Sequence, residues 1–545
     1  MIASGKKQLP ALPALLFLIF FFLSPLLFMF GQAFFSEPGG FSLAPLFSLL
    51  QKQRLYSILR FTLFQAFLSV GAALVLGLPG AWLLSRYQFP GRKILLSLSI
   101  IPFILPPILV VLGFIAVFGR SGFLNSFLMQ LFSLKEPPLA ILYSLKGIIL
   151  AHGFYNFPVV LRIVASALLS IPKREEDAAS LFGASAFHRF RTIILPRIMP
   201  ALLSSMLLVF LFCFSSFAVV LVLGGGPEHS TLEVEIYRLA RIQLDMAGAA
   251  LLAILSAGVT LLPLLFLPGG KTVALTDSLS TDRNYLPSAG RGIALFGILY
   301  SGIMVLFILL PILSVFINGF IGKDGSGNSV VFTLRWFTDL FSRSSTGQAV
   351  AGTLLLGSLT LLFTIPLATG AAISYAKAGG LWKKGLSFLF TLPMALSSVI
   401  LGAAYLALSR LFSLQGGNLL LIAASHSIIA FPFVFHTIAS TVGSDRSNPS
   451  KAAISLGATP IRAFFDVELP RIEPALFSAA AFSFALSAGE INATLTFSGG
   501  AMNTIPIAIY RLIGAYRFNQ ASALGSILIL ISALAFLFLD RRKRG

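Results

Sequence analysis

Long apolar blocks alternate with short polar stretches along almost the whole chain. Residues 13–35, 94–118, 198–222, 293–318 and 521–539 carry no Asp, Glu, Lys or Arg. About 20 apolar residues span a bilayer's hydrocarbon core. Backbone polar groups find no water there, so such spans must be helical. The pattern predicts spans at 13–35, 59–85, 94–118, 139–167, 198–222, 247–268, 293–318, 349–375, 386–409, 419–440, 473–498 and 521–539. One block alone would suit a buried core helix equally well; a dozen in one chain do not. The predicted fold class is an all-α membrane protein with about 12 transmembrane helices.

Composition sharpens this reading. The chain has 545 residues, 57% hydrophobic and 11% charged, whereas soluble domains carry about 25% charge. Lys6 and Lys7 precede the first block in the manner of a secretory signal. That block outruns a signal h-region, and Phe and Pro stand where small residues would mark a cleavage site. It reads as a retained first helix. The single cysteine, Cys213, lies in an apolar span, which excludes an internal disulfide and a cysteine metal cluster.

A net charge of +20 raises the question of nucleic acid. Its distribution answers otherwise. With the N-terminus in the cytoplasm, well over half of the 39 Lys and Arg fall in cytoplasmic segments. These are Lys6, Lys7, the 86–93, 168–197, 376–385 and 441–472 loops, residues 269–291 and the tail from Arg541 to Arg544. Several acidic residues fall in the outer segments, including Glu228, Glu233, Glu235 and Asp245. The basic charge is thus a topology signal that sets both termini in the cytoplasm. No soluble domain remains to present a basic face to nucleic acid.

The chain also repeats itself. Residues 151–205 align without gaps on 425–479. His152 falls on His426, Phe157-Pro158 on Phe431-Pro432, and Leu195-Pro196-Arg197-Ile198 on Leu469-Pro470-Arg471-Ile472. Ile236-Tyr237-Arg238-Leu239 then matches Ile509-Tyr510-Arg511-Leu512. Six spans per repeat give both halves one orientation, 1–268 and 292–545. Residues 269–291, with Ser278, Ser280, Thr281, Asp282 and Asn284, read as a cytoplasmic linker. Two equivalent halves suggest a pathway at their interface near the midplane.

The best-matched part is a cytoplasmic loop in each half, 173–200 and 446–474. Asp177-Ala178-Ala179 is followed by Gly183, Ile193 and Leu195-Pro196; Lys451-Ala452-Ala453 is followed at identical spacing by Gly457, Val467 and Leu469-Pro470. A short helix over 177–182 would present small alanines for close approach. Glycine can then turn the chain with positive φ. An amphipathic stretch follows over 184–194, and the proline suits the first turn of the next helix. Such a helix–turn–helix fits a groove on a partner and passes rigid-body motion to the membrane helices.

This spacing resembles the coupling loop of ABC importer permeases. Both copies depart from the acidic first position, conservatively at Asp177 and with reversed charge at Lys451. The resemblance implies two six-helix type I importer permease repeats in the bacterial inner membrane. It implies two ABC ATPase subunits, one per loop, and a periplasmic or lipid-anchored solute-binding protein. The chain itself would be no enzyme and would bind no cofactor or metal, with ATP and Mg held by the ATPase. Gly269-Gly270-Lys271-Thr272 is not a phosphate loop, because Leu265 stands where the first glycine belongs.

Residues 56–250 are similar to fused thiamine/thiamine pyrophosphate permeases. The matching pieces are RFTLFQAFLS at 60–69, RYQFPGR at 86–92, GIILAHGFYNFP at 147–158 and CFSSFAVVLVLGGGPEHSTLEVEIYRL at 213–239. The second half matches through its loop and LSAGE at 486–490. Fused ferric-iron permeases share the layout and are the alternative. The Gly224-Gly225-Gly226-Pro227 turn and the outer segments after it are candidates to receive the binding protein.

Ionisable residues at membrane depth are functional candidates. Glu490 in the eleventh span is the clearest, since its first-half counterpart lies near Phe217 and a cation would be drawn to it. The alternative is a structural carboxyl paired with a neighbour such as Asn492. His152 and His426 suggest a symmetric interhelical hydrogen bond, with Asn156 a further pathway candidate. Arg162 reads as snorkelling from the end of its span. An ion-coupled secondary transporter would need several intramembrane carboxylates, and a membrane scaffold would need no paired loops.

Overall fold

The computed structural model describes residues 9–36, 40–266, 286–323, 330–412, 417–443, 449–499 and 501–540. The polar linker residues Ser278, Ser280, Thr281, Asp282 and Asn284 lie outside the described residues. The first half contains α1 (Leu12–Gln32), α2 (Gln53–Arg86), α3 (Pro107–Phe118), α4 (Leu145–Leu169), α5 (Lys173–Leu181) and α6 (Leu195–Phe214). It closes with α7 (Ala218–Leu223), α8 (Leu232–Tyr237) and α9 (Met246–Phe266). The second half repeats the order as α10 (Arg291–Phe320), α11 (Ser344–Lys377), α12 (Ser398–Leu411), α13 (Leu419–Gly443), α14 (Pro449–Ser455) and α15 (Leu469–Gly489). It ends with α16 (Asn492–Ser498), α17 (Ile505–Gly514) and α18 (Phe518–Asp540).

Among the described residues, 10 helical stretches are long and apolar enough to cross a membrane. A pair bent by 89°, Gly380–Ala395 with α12, makes up to 11. The remaining predicted span, the sixth, is occupied by α9, whose described apolar stretch Met246–Leu262 is shorter.

Four predicted spans are not continuous. The fifth breaks at residues 215–217, between α6 and α7. The third breaks at Leu105 and Pro106, both extended. Pro106 and Pro107 offer no N–H, and a residue before proline is pushed out of the α region. The ninth breaks before Ser397, whose hydroxyl accepts from the Val399 N–H at 3.1 Å and so caps α12. The eleventh breaks at Glu490, which is extended between α15 and α16.

The halves exchange their first helices. Helix α1 packs against α9 of its own half and against α11 and α12 of the other. The Tyr405 hydroxyl donates to the Phe21 carbonyl at 2.6 Å across this contact. Helix α10 correspondingly packs on its own α18 and on α3 of the first half. That crossing is close: a Cβ on Gly113 would lie 2.6 Å from the Pro311 carbonyl oxygen.

Each first helix is followed by a small antiparallel hairpin, β1 (Phe35–Ser36) with β2 (Gly40–Phe41) and β3 (Ile321–Lys323) with β4 (Val330–Phe332). Beyond α7 and α16 the chain turns back into the bundle. The Leu232 N–H donates to the Thr62 hydroxyl and the Ile505 N–H to the Thr353 hydroxyl, at 3.0 and 2.9 Å. Thr62 and Thr353 each lie nine residues into α2 and α11, roughly 13 Å along the helix at 1.5 Å per residue. Helices α8 and α17 therefore pack within the bundle and are not surface loops.

Candidate functional site: paired loops and a polar seam between the halves

The two loops have the same construction down to single hydrogen bonds. Helix α5 starts at Lys173, four residues before the predicted Asp177, and ends on Gly183 with φ of +79°. The Gly183 N–H donates to the Ser180 carbonyl and the Ala184 N–H to Ala179, each at 3.0 Å. This pair of bonds is a Schellman closure, which requires a left-handed residue at the turn. Helix α14 ends identically on Gly457, φ +97°, with Gly457 donating to Ile454 and Ala458 to Ala453. The next helix is capped in both loops: the Ser185 hydroxyl accepts from the His188 N–H and the Thr459 hydroxyl from Arg462.

A π turn follows in each copy, Phe190–Ile194 and Phe464–Glu468, immediately before Leu195-Pro196 and Leu469-Pro470. In a regular α-helix, each proline ring would clash with the carbonyl four residues earlier. The wider π turn makes room and lets the amphipathic stretch run on into α6 or α15. Asp177, Ala178, Pro196, Ala452 and Pro470 are exposed, while Ala179, Ile193, Leu195, Ala453, Val467 and Leu469 are half-buried. Leu181, Phe182 and Leu456 are about as exposed as side chains can be, at 89%, 92% and 89%. Lys451 lies within α14.

The loops differ in how they are tied to the bundle. Glu176 pairs with Arg86 at the end of α2, and Glu175 with Arg197 in α6, both at 2.6 Å. Pro449 and Ser450 occupy the equivalent positions in α14, so these two pairs have no counterpart there.

Inside the bundle the predicted histidines are buried but bond to different helices, His152 to α2 and His426 to α15 and, through Nε2, to Thr494 of α16. His152 Nδ1 bonds the Ser69 hydroxyl at 2.9 Å, and His426 Nδ1 bonds Ser487 at 2.8 Å. Asn156 Nδ2 donates to the His152 carbonyl at 2.9 Å and to Cys213 Sγ at 3.3 Å. Glu490 does not sit inside a helix. Its carboxylate accepts from the Ala493 and Thr494 N–H groups at 2.8 and 3.1 Å, and from the Thr494 hydroxyl at 2.9 Å. His426 Nε2 stands 3.4 Å away. Glu490 thus caps α16, where a negative charge meets the free N–H groups and the positive end of the helix. Asn492, the partner expected from the sequence, instead donates to the Ser398 hydroxyl at 3.0 Å.

The sequence reading misplaced two acids. Glu233 and Glu235, counted with the outer segments, are buried on α8. Arg54 and Arg238 grip Glu235. Glu233 is fully buried, accepting from Ser256 of α9 at 2.9 Å and from Ser397 at the start of α12. The Ser397 bond joins the two halves. One sequence signal did point here: Ile236–Leu239 is repeated at Ile509–Leu512, marking an element of the bundle and not a loop. Arg162, placed as a snorkelling residue, instead donates to the Leu96 carbonyl at 3.2 Å and is partly buried.

Two permease repeats with broken central spans and matched helix–turn–helix loops define the membrane-spanning half of a solute importer. The family model for "Binding-protein-dependent transport system inner membrane component" matches twice, at residues 69–268 and 364–544. The chain belongs to this family and is the multi-pass inner-membrane permease of an ABC importer. It is 29% identical over 508 residues to the thiamine transport system permease protein ThiP of Brucella abortus, covering 92% of this chain and 90% of the relative. The protein of that name from Escherichia coli is 27% identical over 501 residues, covering 90% of each. A putative 2-aminoethylphosphonate transport permease of Salmonella typhi, PhnU, is 31% identical over 45% of this chain and 85% of its own. Among solved structures, a bacterial ABC transporter that imports alginate matches with a TM-score of 0.38 and 19% identity, over 46% of this chain and 94% of that one.

Proposed function

We propose that this chain imports thiamine or thiamine pyrophosphate, driven by ATP hydrolysed on separate subunits. The observation that carries the substrate reading is the match to thiamine permeases over about nine-tenths of both chains. A solute-binding protein delivers the vitamin from the outer side, and the pathway runs between the halves. Both termini and both loops face the cytoplasm, in keeping with their positive charge.

Each loop seats one ATPase. Asp177, Ala178 and Ala179, and Lys451, Ala452 and Ala453, form the contact helices, and Gly183 and Gly457 set the turn. Ile193, Leu195 and Pro196, with Val467, Leu469 and Pro470, carry the motion into α6 and α15. The exposed Leu181, Phe182 and Leu456 support this reading, because apolar side chains so exposed mark an interaction surface. The chain binds no cofactor of its own; ATP and Mg belong to the ATPase.

The test is uptake into proteoliposomes holding the chain, its ATPase and its binding protein, with labelled thiamine, thiamine pyrophosphate and ferric iron in turn. ATP-dependent uptake of thiamine or its pyrophosphate is expected. Uptake of ferric iron alone would assign the other substrate class. Purified chain without its ATPase is expected to show no ATP hydrolysis, and hydrolysis by it would overturn the division of labour.

A further inference from the structure

Two buried carboxylates lie at the seam between the helix breaks, and their environments differ. Glu490 is occupied by two backbone N–H groups, a hydroxyl and His426. Glu233 has only two serine hydroxyls, Ser256 from its own half and Ser397 from the other. Among the described residues, no cationic side chain is a hydrogen-bond partner of Glu233. Removing an ion from water without a counter-charge is costly, so such a group is kept for a purpose. Its counterpart in the second half is Pro506, so the repeat does not require it.

Its position suggests the purpose. The preceding residue, Leu232, bonds Thr62 of α2, and Glu233 itself is fully buried. Ser397 is the residue at which the ninth span breaks, and its neighbour Ser398 bonds Asn492 beside Glu490. The Glu233–Ser397 bond therefore closes the seam between the halves. Any parting of the halves there must break it and bare a carboxyl that has no cationic side chain among its hydrogen-bond partners in the described residues.

We propose that Glu233 is the counter-charge that receives a cationic solute as the halves part, and that Ser397 holds it latched while they are closed. The inference rests on the thiamine reading proposed above, thiamine being an organic cation. In the latched state two serine hydroxyls satisfy the carboxyl, and neither brings a counter-charge. In the open state an organic cation replaces them, so the charge favours the solute only when the pathway is open to it.

The experiment uses the complete complex in proteoliposomes and follows thiamine uptake normalised to assembled complex. It also follows ATP hydrolysis stimulated by the loaded binding protein. Glu233→Gln is expected to lower uptake at least tenfold while the complex assembles and stimulated hydrolysis persists. A charge-moved double variant, Glu233→Ser with Ser397→Asp, restores a carboxylate to the same seam, and aspartate caps a helix as well as serine. It is expected to recover uptake to within about threefold of wild type, which a merely structural role for Glu233 would not predict. Wild-type uptake by Glu233→Gln overturns the proposal. If that variant fails to assemble, the double variant decides, and an assembled double variant that does not transport overturns it equally. Failure of the wild-type complex to transport thiamine would instead refute the substrate reading, a result distinguishable from either.

Discussion

Replacing Gly183 tests whether the turn or the bulk of the loop matters. Its φ of +79° lies in the left-handed region, and a Cβ placed there would meet nothing within 4 Å. Steric collision therefore contributes nothing, and the whole penalty is backbone strain. For an ordinary residue that strain is about 1–2 kcal/mol; a β-branched residue there is a true outlier, nearer 2–3 kcal/mol. Asparagine tolerates the region several-fold better than most side chains. The expected order of function is Gly, then Asn, then Ala, then Val, although Asn is larger than Ala. If only the turned loop seats on the ATPase, about 2 kcal/mol of strain lowers apparent affinity by up to roughly 30-fold. The assay is titration of the ATPase against the reconstituted permease, with uptake measured per assembled complex. Loss that follows side-chain size, with Asn worse than Ala, would refute the argument. So would wild-type affinity for Gly183→Val combined with the same change at Gly457.

Other perturbations test the remaining geometry. Gly113→Ala should force α3 and α10 apart at the Pro311 carbonyl and destabilise the complex by about 1–3 kcal/mol, read as a lower melting temperature in detergent. An unchanged melting temperature would show that the crossing is looser than described. Glu490→Gln removes charge from the α16 cap and should cost about 1–2 kcal/mol of stability, lowering yield but leaving uptake per assembled complex near normal. A fall in uptake per complex at normal yield would return Glu490 to the solute pathway. Glu176→Gln breaks the ion pair with Arg86, which is largely shielded from water, and should weaken coupling at the first loop only. Equal uptake and equal stimulated ATP hydrolysis in this variant would show that α5 is not tied to α2 through that pair.

The spans, the repeat and the glycine turns were all legible because each leaves a local mark. Apolar length marks a span, and identical spacing around Gly183 and Gly457 marks a turn. The breaks were less visible. Hydropathy reports what dissolves in lipid, and an extended residue such as Leu105 or Leu396 is as apolar as a helical one. Of these breaks, the one at Pro106-Pro107 has a local cause in the residue types themselves. Glu233 was read as an outer acid because it lies among Glu228, Glu235, Arg238 and Arg241, which together resemble a solvated loop. What buries it is the bond from Leu232 to Thr62, a contact 170 residues distant in sequence. The exchange of first helices left no mark either, since α1 and α12 are apolar whichever partner they meet.

That exchange sets a timetable for synthesis. Helix α1 is made first, yet α11 and α12 against which it packs begin some three hundred residues later. At about 5–20 residues per second, roughly 15–60 s pass before those partners emerge. Throughout that interval α1 must persist in the bilayer as a solitary lipid-facing helix, shielded only by its own first-half neighbours. Its uninterrupted apolar surface suits that wait. Once the second half arrives, α1 is already in place to clasp it, and a chain interrupted before α11 would leave the clasp open for whatever membrane helix drifts by.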